Sequence, residues 1–230
     1  MNERSPNHDD HDHHHDAEHG AGGPDAPVDP EAFWDDLYGD SRRWSGRPNP
    51  VLVEVVEPLA PGTVLDLGCG EGGDAVWLAQ RGWHVTAVDV SGTALARAAD
   101  HAAEAGVGER ITWAHHDLGR SFPDGTFDLV SAQFFQSPIE LDRERILRQA
   151  RDVVAPGGSL LVVGHAESPS WTPGSHHHAD LPQADDVLAG LDLPEGWQVV
   201  RSEQASREGT GPDGQTGTLV DSVVLVQRRA

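Results

Sequence analysis

The fold of this 230-residue chain is decided by the stretch Val64–Gly73, which reads VLDLGCGEGG. Its apolar first half predicts a strand over Thr63–Leu67. Its glycines predict a turn, because glycine adopts positive φ and lets a ligand approach the backbone closely. Apolar residues then recur at helical spacing from Gly73 to Arg81. A strand, a glycine turn and a helix in this order indicate a nucleotide-type site above the strand.

Two carboxylates decide which kind of nucleotide-type site this is. Asp89 ends the next apolar run, Val85–Asp89, so it lies one strand away from the turn, where a carboxylate can bind a ribose diol. The glycine spacing also satisfies the dinucleotide pattern G-x-G-x-x-G, so a nicotinamide-dependent oxidoreductase is one alternative. Asp66, two residues before the first glycine, would repel a pyrophosphate and suits a cationic ligand.

The stretch resembles the first motif of class I S-adenosylmethionine-dependent methyltransferases, D-x-G-x-G-x-G. The resemblance implies an α/β fold, a doubly wound Rossmann-like seven-stranded sheet that is mostly parallel, with an antiparallel C-terminal hairpin and helices on both faces. It implies S-adenosyl-L-methionine as the cofactor, with Asp89 at the ribose. Asp117, the last residue of a predicted third strand over Ile111–Asp117, would lie at the adenine amino group. The implied cofactor-binding residues are Trp44, Arg47, Asp66, Gly68, Cys69, Gly70, Gly73, Asp89, Val90, Asp117, Leu118 and Gln133.

The segment Phe33–Asn49 resembles the entry region of the tellurite-resistance-like branch of this family, which includes thiol methyltransferases. In that branch the entry region folds over the opening of the cofactor and substrate site. By this resemblance Arg47 would pair with the methionine carboxylate. Trp34 or Trp44 would cover the sulfonium through a cation–π contact. Alternatively, both tryptophans pack a helix onto the sheet.

Gln133 and His165 are the candidate catalytic residues. They follow the predicted strands Phe127–Gln133 and Ser159–Gly164, and ligands collect at the carboxyl ends of parallel strands. His165 would be the general base for an oxygen or nitrogen acceptor, because imidazole titrates near neutral pH; the alternative is a surface histidine. A thiol or chalcogen acceptor, which the branch favours, would need no strong base. The expected reaction is methyl transfer to a small-molecule nucleophile.

The composition excludes several classes of partner. The formal net charge is −22 and all sixteen basic residues are arginine, so binding to nucleic acid is not expected. No apolar run approaches the ~20 residues of a membrane span, and the N-terminus lacks a signal-peptide core, so we expect a cytoplasmic protein. Cys69 is the only cysteine, which excludes an internal disulfide. We expect Cys69 to pack in the turn; a nucleophile is the alternative. A monomer and a homodimer both fit.

The chain is expected to divide into a disordered tail, residues 1–30, and a methyltransferase domain, residues 31–230. The histidines and aspartates of the tail would bind divalent metal weakly. A metal-stress protein is therefore a further alternative function. His176–His178 would form a metal site with His165 only if several consecutive imidazoles faced one ion, so no metal site is assigned.

Periodicity predicts the remaining elements. Ser91 is expected to cap a helix whose buried stripe is Ala94, Leu95, Ala98 and Ala102. Two final strands, Trp197–Glu203 and Leu219–Arg228, are expected to place Val199, Val223 and Leu225 in the core. Further helices are predicted over Pro30–Tyr38, Pro50–Leu59, Asp142–Val153 and Leu181–Leu191.

Overall fold

The computed structural model describes residues 28–39, 46–168, 181–210 and 214–230. The predicted disordered tail lies outside these ranges up to residue 27, and Trp44 and His176–His178 also lie outside them. Across the described ranges, no helix is both long and apolar enough to cross a membrane.

Strands and helices alternate through most of the described chain, as expected for an α/β protein. The helices are α1 (Pro30–Tyr38), α2 (Pro50–Val56), α3 (Gly73–Gln80), α4 (Gly92–Glu104), α5 (Arg143–Asp152) and α6 (Ala184–Gly190). The strands are β1 (Thr63–Leu67), β2 (His84–Asp89), β3 (Ile111–His115), β4 (Phe127–Gln133), β5 (Val154–His165), β6 (Trp197–Thr210) and β7 (Thr216–Arg228).

The strands form one sheet in the order β3-β2-β1-β4-β5-β7-β6. The pairs from β3 through β5 are parallel, and β7 runs antiparallel to both β5 and β6. The seven-stranded, mostly parallel sheet with an antiparallel C-terminal hairpin is therefore confirmed. The strand order reverses between β1 and β4, and ligands of doubly wound sheets bind at such a switch point.

The sheet is buried on both faces, which explains why β1 is almost continuously apolar. Val64 packs in one hydrophobic cluster with α3, while Leu65 and Leu67 pack in another with α5. All three side chains have no exposed surface, and burying each contributes about 1.5–3 kcal/mol. Asp66 shares the face of Val64, because side chains alternate along a strand. Asp66 is thus a carboxylate held in a buried strand.

Most element predictions are confirmed. Ser91 Oγ accepts from the amide of Ala94 as the N-cap of α4, and the predicted stripe of that helix is buried. Helix α2, however, ends at Val56, because Pro58 has no amide to donate to the carbonyl oxygen of Glu54 and therefore cannot continue the helical hydrogen bonds beyond Glu57.

Strand boundaries differ most in the C-terminal part, where β5, β6 and β7 are all longer than predicted. The prediction that Val199 lies in the core is wrong, since its side chain is 46% exposed. The reason is that β6 is an edge strand whose register with β7 shifts between Val199 and Arg201. Val223 is buried as predicted, and Leu225 is partly buried against the core.

Candidate active site

A cavity of about 840 Å³ opens at the carboxyl ends of β1, β2, β4 and β5, and α1 forms part of its wall. It brings together every predicted site residue that the structure describes; Trp44 lies outside the described residues. These residues are Arg47, Asp66, Gly68, Cys69, Gly70, Gly73, Asp89, Val90, Asp117, Leu118, Gln133 and His165.

The glycine turn presents bare backbone to the cavity. Gly68 has a φ of +66°, and a Cβ atom added there would lie 2.7 Å from Cδ2 of Phe135. At Gly73 an added Cβ would lie 3.2 Å from the carbonyl oxygen of Arg47, so the segment before α2 can pass directly over the turn. Both positions need glycine for close packing, and Gly68 also needs it for its backbone conformation.

Asp89 is fixed at the cavity wall by backbone amides. Its two carboxylate oxygens accept from the amide of Gly70 at 2.8 Å and from that of Ser91 at 2.9 Å. Burial raises the pKa of this carboxyl, and backbone hydrogen bonds from Ser91, Gly70 and Val90 partly oppose the rise. A carboxylate oxygen has two lone pairs, so Asp89 can still accept from a ligand hydroxyl.

Asp66 is a deeply buried carboxylate of the site. It is 2% exposed, and its Oδ2 has no hydrogen-bond partner. Burial, and then the negative charges of Asp74 and Asp89, raise its pKa well above the usual range. A buried acceptor beside two further carboxylates fits a cationic donor and opposes a pyrophosphate. The arrangement therefore disfavours a nicotinamide dinucleotide.

Asp74 and Asn49 were not identified from the sequence. The Asn49 amide donates to Oδ1 of Asp74 at 2.6 Å, and both residues line the cavity. Asn49 Oδ1 caps α2 by accepting from Val51, which leaves its Nδ2 buried without a partner. Asp74 directly follows the glycine turn, and an acidic residue in the first turn of a helix ordinarily indicates only a favourable dipole contact. The position of Asp74 in the first turn of α3 was therefore the only signal in the sequence for this residue.

Helix α1 is fastened over the cavity, into which it presents Trp34 and Tyr38. Asp35 Oδ1 accepts from Ser91 Oγ at 2.6 Å and from the Thr93 amide at 3.0 Å. Burial raises the pKa of Asp35, but these hydrogen bonds outweigh it and lower the pKa overall. The contact therefore persists at neutral pH and is lost only when acid protonates Asp35.

Arg97 makes a second connection between α1 and the glycine turn. Its guanidinium pairs with the buried Glu71 at 3.2 Å and donates to the carbonyl oxygens of Tyr38 and Gly39. Glu71 belongs to the turn and lines the cavity. The position of α1 is thus coupled to the conformation of the turn.

Replacing Asp35 by alanine is expected to loosen α1. A hydrogen bond to a charged group contributes about 1.5–3 kcal/mol, so hydrogen–deuterium exchange in residues 30–38 should quicken about tenfold or more. Asp36→Ala is the matched control, because it removes the same charge from an exposed position of the same helix. Equal exchange rates in the two variants would contradict the fastening role of Asp35.

The two histidines at the end of β3 have different surroundings. His116 lines the cavity, where its Nδ1 lies 2.7 Å from Ser121 Oγ, whereas His115 Nε2 lies 2.8 Å from the Val90 carbonyl oxygen. Asp117 Oδ1 accepts from the Gly119 amide, and its Oδ2 pairs with Arg120 at 3.2 Å. The carboxylate is therefore held in place at the cavity wall. Its contact with an adenine stays a prediction.

Residues at and after the carboxyl end of β4 also line the cavity. Gln133 Nε2 donates to Ser131 Oγ at 2.9 Å, while its Oε1 is buried without a partner. Phe134 follows with a φ of +52°, a conformation that side-chain-bearing residues rarely adopt. Such strain is stored where the surrounding structure imposes it, often at functional sites.

Four side chains around Phe134 form a closed group, which we call the His165 quartet: His165, Asp221, Arg207 and Phe134. His165 Nδ1 lies 3.0 Å from Asp221 Oδ1, and Arg207 Nε lies 2.6 Å from Asp221 Oδ2. The Phe134 ring lies 4.5 Å from the His165 ring and 5.6 Å from the Arg207 guanidinium carbon. Each member therefore contacts two others.

Asp221 sets the chemistry of the quartet. It is 1% exposed; burial raises its pKa, but hydrogen bonds from His165 and Arg207 outweigh burial and lower the pKa overall. An ionised Asp221 accepts a proton-bearing Nδ1, which leaves His165 Nε2 as a proton acceptor. His165 is the last residue of β5 and lines the cavity. The arrangement is that of a general base held by a carboxylate.

Neither Asp221 nor Arg207 was identified from the sequence. A signal existed for Asp221, which together with Ser222 interrupts an apolar run in β7. Only the antiparallel pairing of β7 with β5 brings Asp221 opposite His165.

Cys69 has the surroundings of a packed thiol. Burial, followed by the charges of Asp89 and Asp66, raises its pKa well above the usual value, so the thiol stays protonated at neutral pH. A protonated thiol is a poor nucleophile. Within the described ranges, no group of three or more His, Cys, Asp or Glu side chains could hold a metal ion.

Comparison with known proteins supports the methyltransferase resemblance of the glycine turn. Residues 64–158 match the family profile described as "Methyltransferase domain". An uncharacterised methyltransferase of Mycobacterium tuberculosis is 37% identical over 127 residues, which are 55% of this chain and 61% of that protein. The 2-heptyl-1-hydroxyquinolin-4(1H)-one methyltransferase of Mycobacteroides abscessus is 34% identical over 140 residues, which are 58% of this chain. The chain spans 61% of the length of both relatives.

A similar fold occurs in a structure from work on the "Conversion of a Disulfide Bond into a Thioacetal Group during Echinomycin Biosynthesis". The TM-score is 0.69 at 25% identity, and the match covers 86% of this chain and 91% of that one. Membership of the tellurite-resistance-like branch stays a prediction. Sequence and fold together identify residues 64–158 as part of a class I S-adenosylmethionine-dependent methyltransferase domain.

Proposed function

We propose that this protein transfers the methyl group of S-adenosylmethionine to a small-molecule nucleophile carrying an ionisable hydroxyl or thiol. The observation that carries the proposal is the His165–Asp221 pair, which lines the same cavity as the glycine turn, Asp66 and Asp89. A general base and a nucleotide-type site in one cavity suit a reaction in which the acceptor loses a proton as it gains the methyl group.

The residues of the turn fit the cofactor. The unpartnered Oδ2 of Asp66 suits the α-ammonium group, and the remaining lone pairs of Asp89 suit the ribose hydroxyls. The absence of a side chain at Gly68 lets the Phe135 ring pack directly against the turn. Trp34 and Arg47 also line the cavity, in keeping with the predicted roles at the sulfonium and the carboxylate.

The chain supplies alignment, water exclusion and proton transfer. S-adenosylmethionine, when bound, supplies a methyl group already activated on a sulfonium. His165 Nε2 takes the acceptor proton, and Asp221 holds the ring and stabilises the imidazolium that results. Gln133 Oε1, which lacks a donor, can orient the acceptor. Helix α1 closes the cavity and limits the entry of water, so the reactants stay aligned.

The methyl acceptor is either a sulfur or an oxygen atom, and a different observation supports each. The echinomycin structure concerns the chemistry of a disulfide and a thioacetal, which supports sulfur. The curated relative from Mycobacteroides abscessus is named for a 1-hydroxyquinolinone, which supports oxygen. A base held by a carboxylate contributes most when the acceptor binds protonated, so the His165 quartet favours a hydroxyl or an un-ionised thiol over a preformed anion such as selenite.

Calorimetry with S-adenosylmethionine and S-adenosylhomocysteine tests the cofactor. We expect micromolar binding of both, and a loss of at least tenfold in Asp89→Ala, because that change removes the ribose acceptor and releases the Gly70 amide. Asp100→Ala is the control, since it removes the same charge from an exposed position of α4. If the wild-type protein binds neither ligand, the proposed function is wrong.

The acceptor is tested with methyl-labelled cofactor and a panel of hydroxyquinolines, phenols, thiols and selenite. We expect label to enter a hydroxyl or thiol compound. Transfer only to selenite or only to amines would contradict the proposed acceptor class while leaving the cofactor assignment intact.

A further inference from the structure

The tip of the C-terminal hairpin forms part of the cavity wall that carries the candidate base. Strand β5 ends at His165, which pairs with Asp221 of β7. Strands β6 and β7 stay paired beyond this point, as far as Thr210 and Thr216. The hairpin therefore extends past the carboxyl end of β5, and its residues Arg207 and Thr210 line the cavity together with His165.

Arg207 uses only part of its hydrogen-bonding capacity. Its Nε donates to Asp221 Oδ2 at 2.6 Å, and among the described residues neither its Nη1 nor its Nη2 has a hydrogen-bond partner. Arg145 also lines the cavity, but its Nη1 donates to Gln149 and its Nη2 donates to the Gly119 carbonyl oxygen. A guanidinium presents its five N–H donors in a fixed fork. The outer end of the Arg207 fork is therefore left with donors for a ligand.

The fork and the candidate base are held in place relative to each other. Asp221 is buried and binds both side chains, His165 through Oδ1 and Arg207 through Oδ2. The Phe134 ring lies 4.5 Å from the His165 ring and 5.6 Å from the Arg207 guanidinium carbon. The backbone of His165 is also fixed, because its N–H donates to Gln136 Oε1 at 2.8 Å and its carbonyl oxygen accepts from Gln136 Nε2 at 3.1 Å. Donors that are already ordered bind a ligand at a lower entropic cost.

The charges of the His165 quartet favour an anionic ligand. Arg207 and Asp221 carry opposite charges, so the quartet has no net charge while His165 is neutral. When His165 takes the acceptor proton, the quartet gains one positive charge. An anion bound at Arg207 then lies beside an imidazolium that it helps to stabilise, because opposite charges attract strongly in a partly buried site. The same charges disfavour an ammonium group at this position.

We propose that Arg207 binds a carboxylate that the methyl acceptor carries beside its nucleophilic hydroxyl or thiol. Nη1 and Nη2 donate to the two carboxylate oxygens, since a guanidinium fork matches a carboxylate in geometry. His165 Nε2 accepts the proton of the neighbouring nucleophile, and the carboxylate takes no part in the methyl transfer itself. This inference rests on the proposed function and narrows its acceptor to a hydroxy acid or a mercapto acid.

The test is calorimetry with the full chain saturated with S-adenosylhomocysteine. The probes 2-hydroxybenzoate and 2-hydroxybenzamide share a ring and a hydroxyl but differ in charge, and 2-mercaptobenzoate with 2-mercaptobenzamide gives the same comparison for sulfur. We expect the acid of at least one pair to bind about tenfold or more tightly than its amide, because charge-assisted, two-pronged hydrogen bonds are stronger than neutral ones. Equal affinities within both pairs, or no detectable binding of any probe, would overturn the inference.

Arg207→Gln is expected to remove the preference, so that the acid and its amide bind with similar affinity. The comparison isolates the fork, because an indirect effect through Asp221 acts on both probes alike. Arg201→Gln is the matched control, since it makes the same change in the same strand at an arginine that lies outside the cavity and pairs with Glu54 and Glu203. A preference for the acid that survives in Arg207→Gln would refute the role of Arg207.

A second variant covers the case in which Arg207→Gln does not fold. Arg207→Lys keeps a positive charge for Asp221 but lacks the fork, so it should lower the preference for the acid while the affinity for S-adenosylhomocysteine stays unchanged. An unchanged preference in Arg207→Lys would overturn the two-pronged contact.

The outcomes separate this inference from the proposed function. Failure of the wild-type protein to bind S-adenosylhomocysteine would overturn both. Binding of S-adenosylhomocysteine and methyl transfer to neutral hydroxyl or thiol compounds, without a preference for the acids, would overturn the inference alone.

Discussion

Replacing His165 by asparagine is expected to lower kcat for a hydroxyl acceptor about 10²–10⁴-fold, the usual contribution of a positioned general base. The affinity for S-adenosylhomocysteine should not change, because the glycine turn, Asp66 and Asp89 are untouched. Asp221→Asn should give a similar loss of kcat, since an amide can accept from Nδ1 but cannot stabilise the imidazolium. The measurement is kcat between pH 5 and 9 together with the calorimetric Kd.

The ionisation state of the acceptor identifies the loss of a base, rather than a loss of the fold, as the cause of the lower kcat in His165→Asn. An acceptor that is already ionised should lose much less activity on the same substitution. His116→Asn is the matched control, because His116 also lines the cavity but lies away from Asp221. Unchanged kcat in His165→Asn would refute the base assignment.

Gly68→Val is expected to abolish cofactor binding, with a loss of at least 100-fold in affinity. The new Cβ would lie 2.7 Å from Phe135 Cδ2, and valine would have to adopt a φ of +66°. The strained backbone alone costs about 1–3 kcal/mol. The turn must therefore shift, which displaces the amide of Gly70 from Asp89. Calorimetry and the thermal midpoint measure binding and stability separately.

The matched control is Gly92→Val. An added Cβ at Gly92 meets nothing within 4 Å, so the same substitution should leave cofactor affinity unchanged and alter stability by less than about 1 kcal/mol. If Gly68→Val does not fold, Gly68→Ala carries the same φ penalty with a smaller side chain. Wild-type affinity in Gly68→Ala would show that the close approach at this glycine is unnecessary for binding.

Contacts between residues close in the chain were predictable. The glycine turn, the stripe of α4 and its Ser91 cap follow from short-range backbone preferences and from periodicity. The predictions of element bounds and burial were wrong where another local or long-range effect outweighed the periodicity. Pro58 ended α2 before Leu59, and the shifted register of β6 exposed Val199.

The sequence by itself determined the fold class, the glycine turn with Asp66 and Asp89, and His165 at the end of β5, because strand, turn and helix signals are local. Only the tertiary structure decided that Asp221, itself bound by Arg207, holds His165, that Asn49 binds Asp74, and that Asp35 fastens α1. These contacts join residues 14 to 58 positions apart. Such pairs form only when the sheet order and the packing of the helices bring separate elements to one edge, and no periodicity along the chain encodes that meeting.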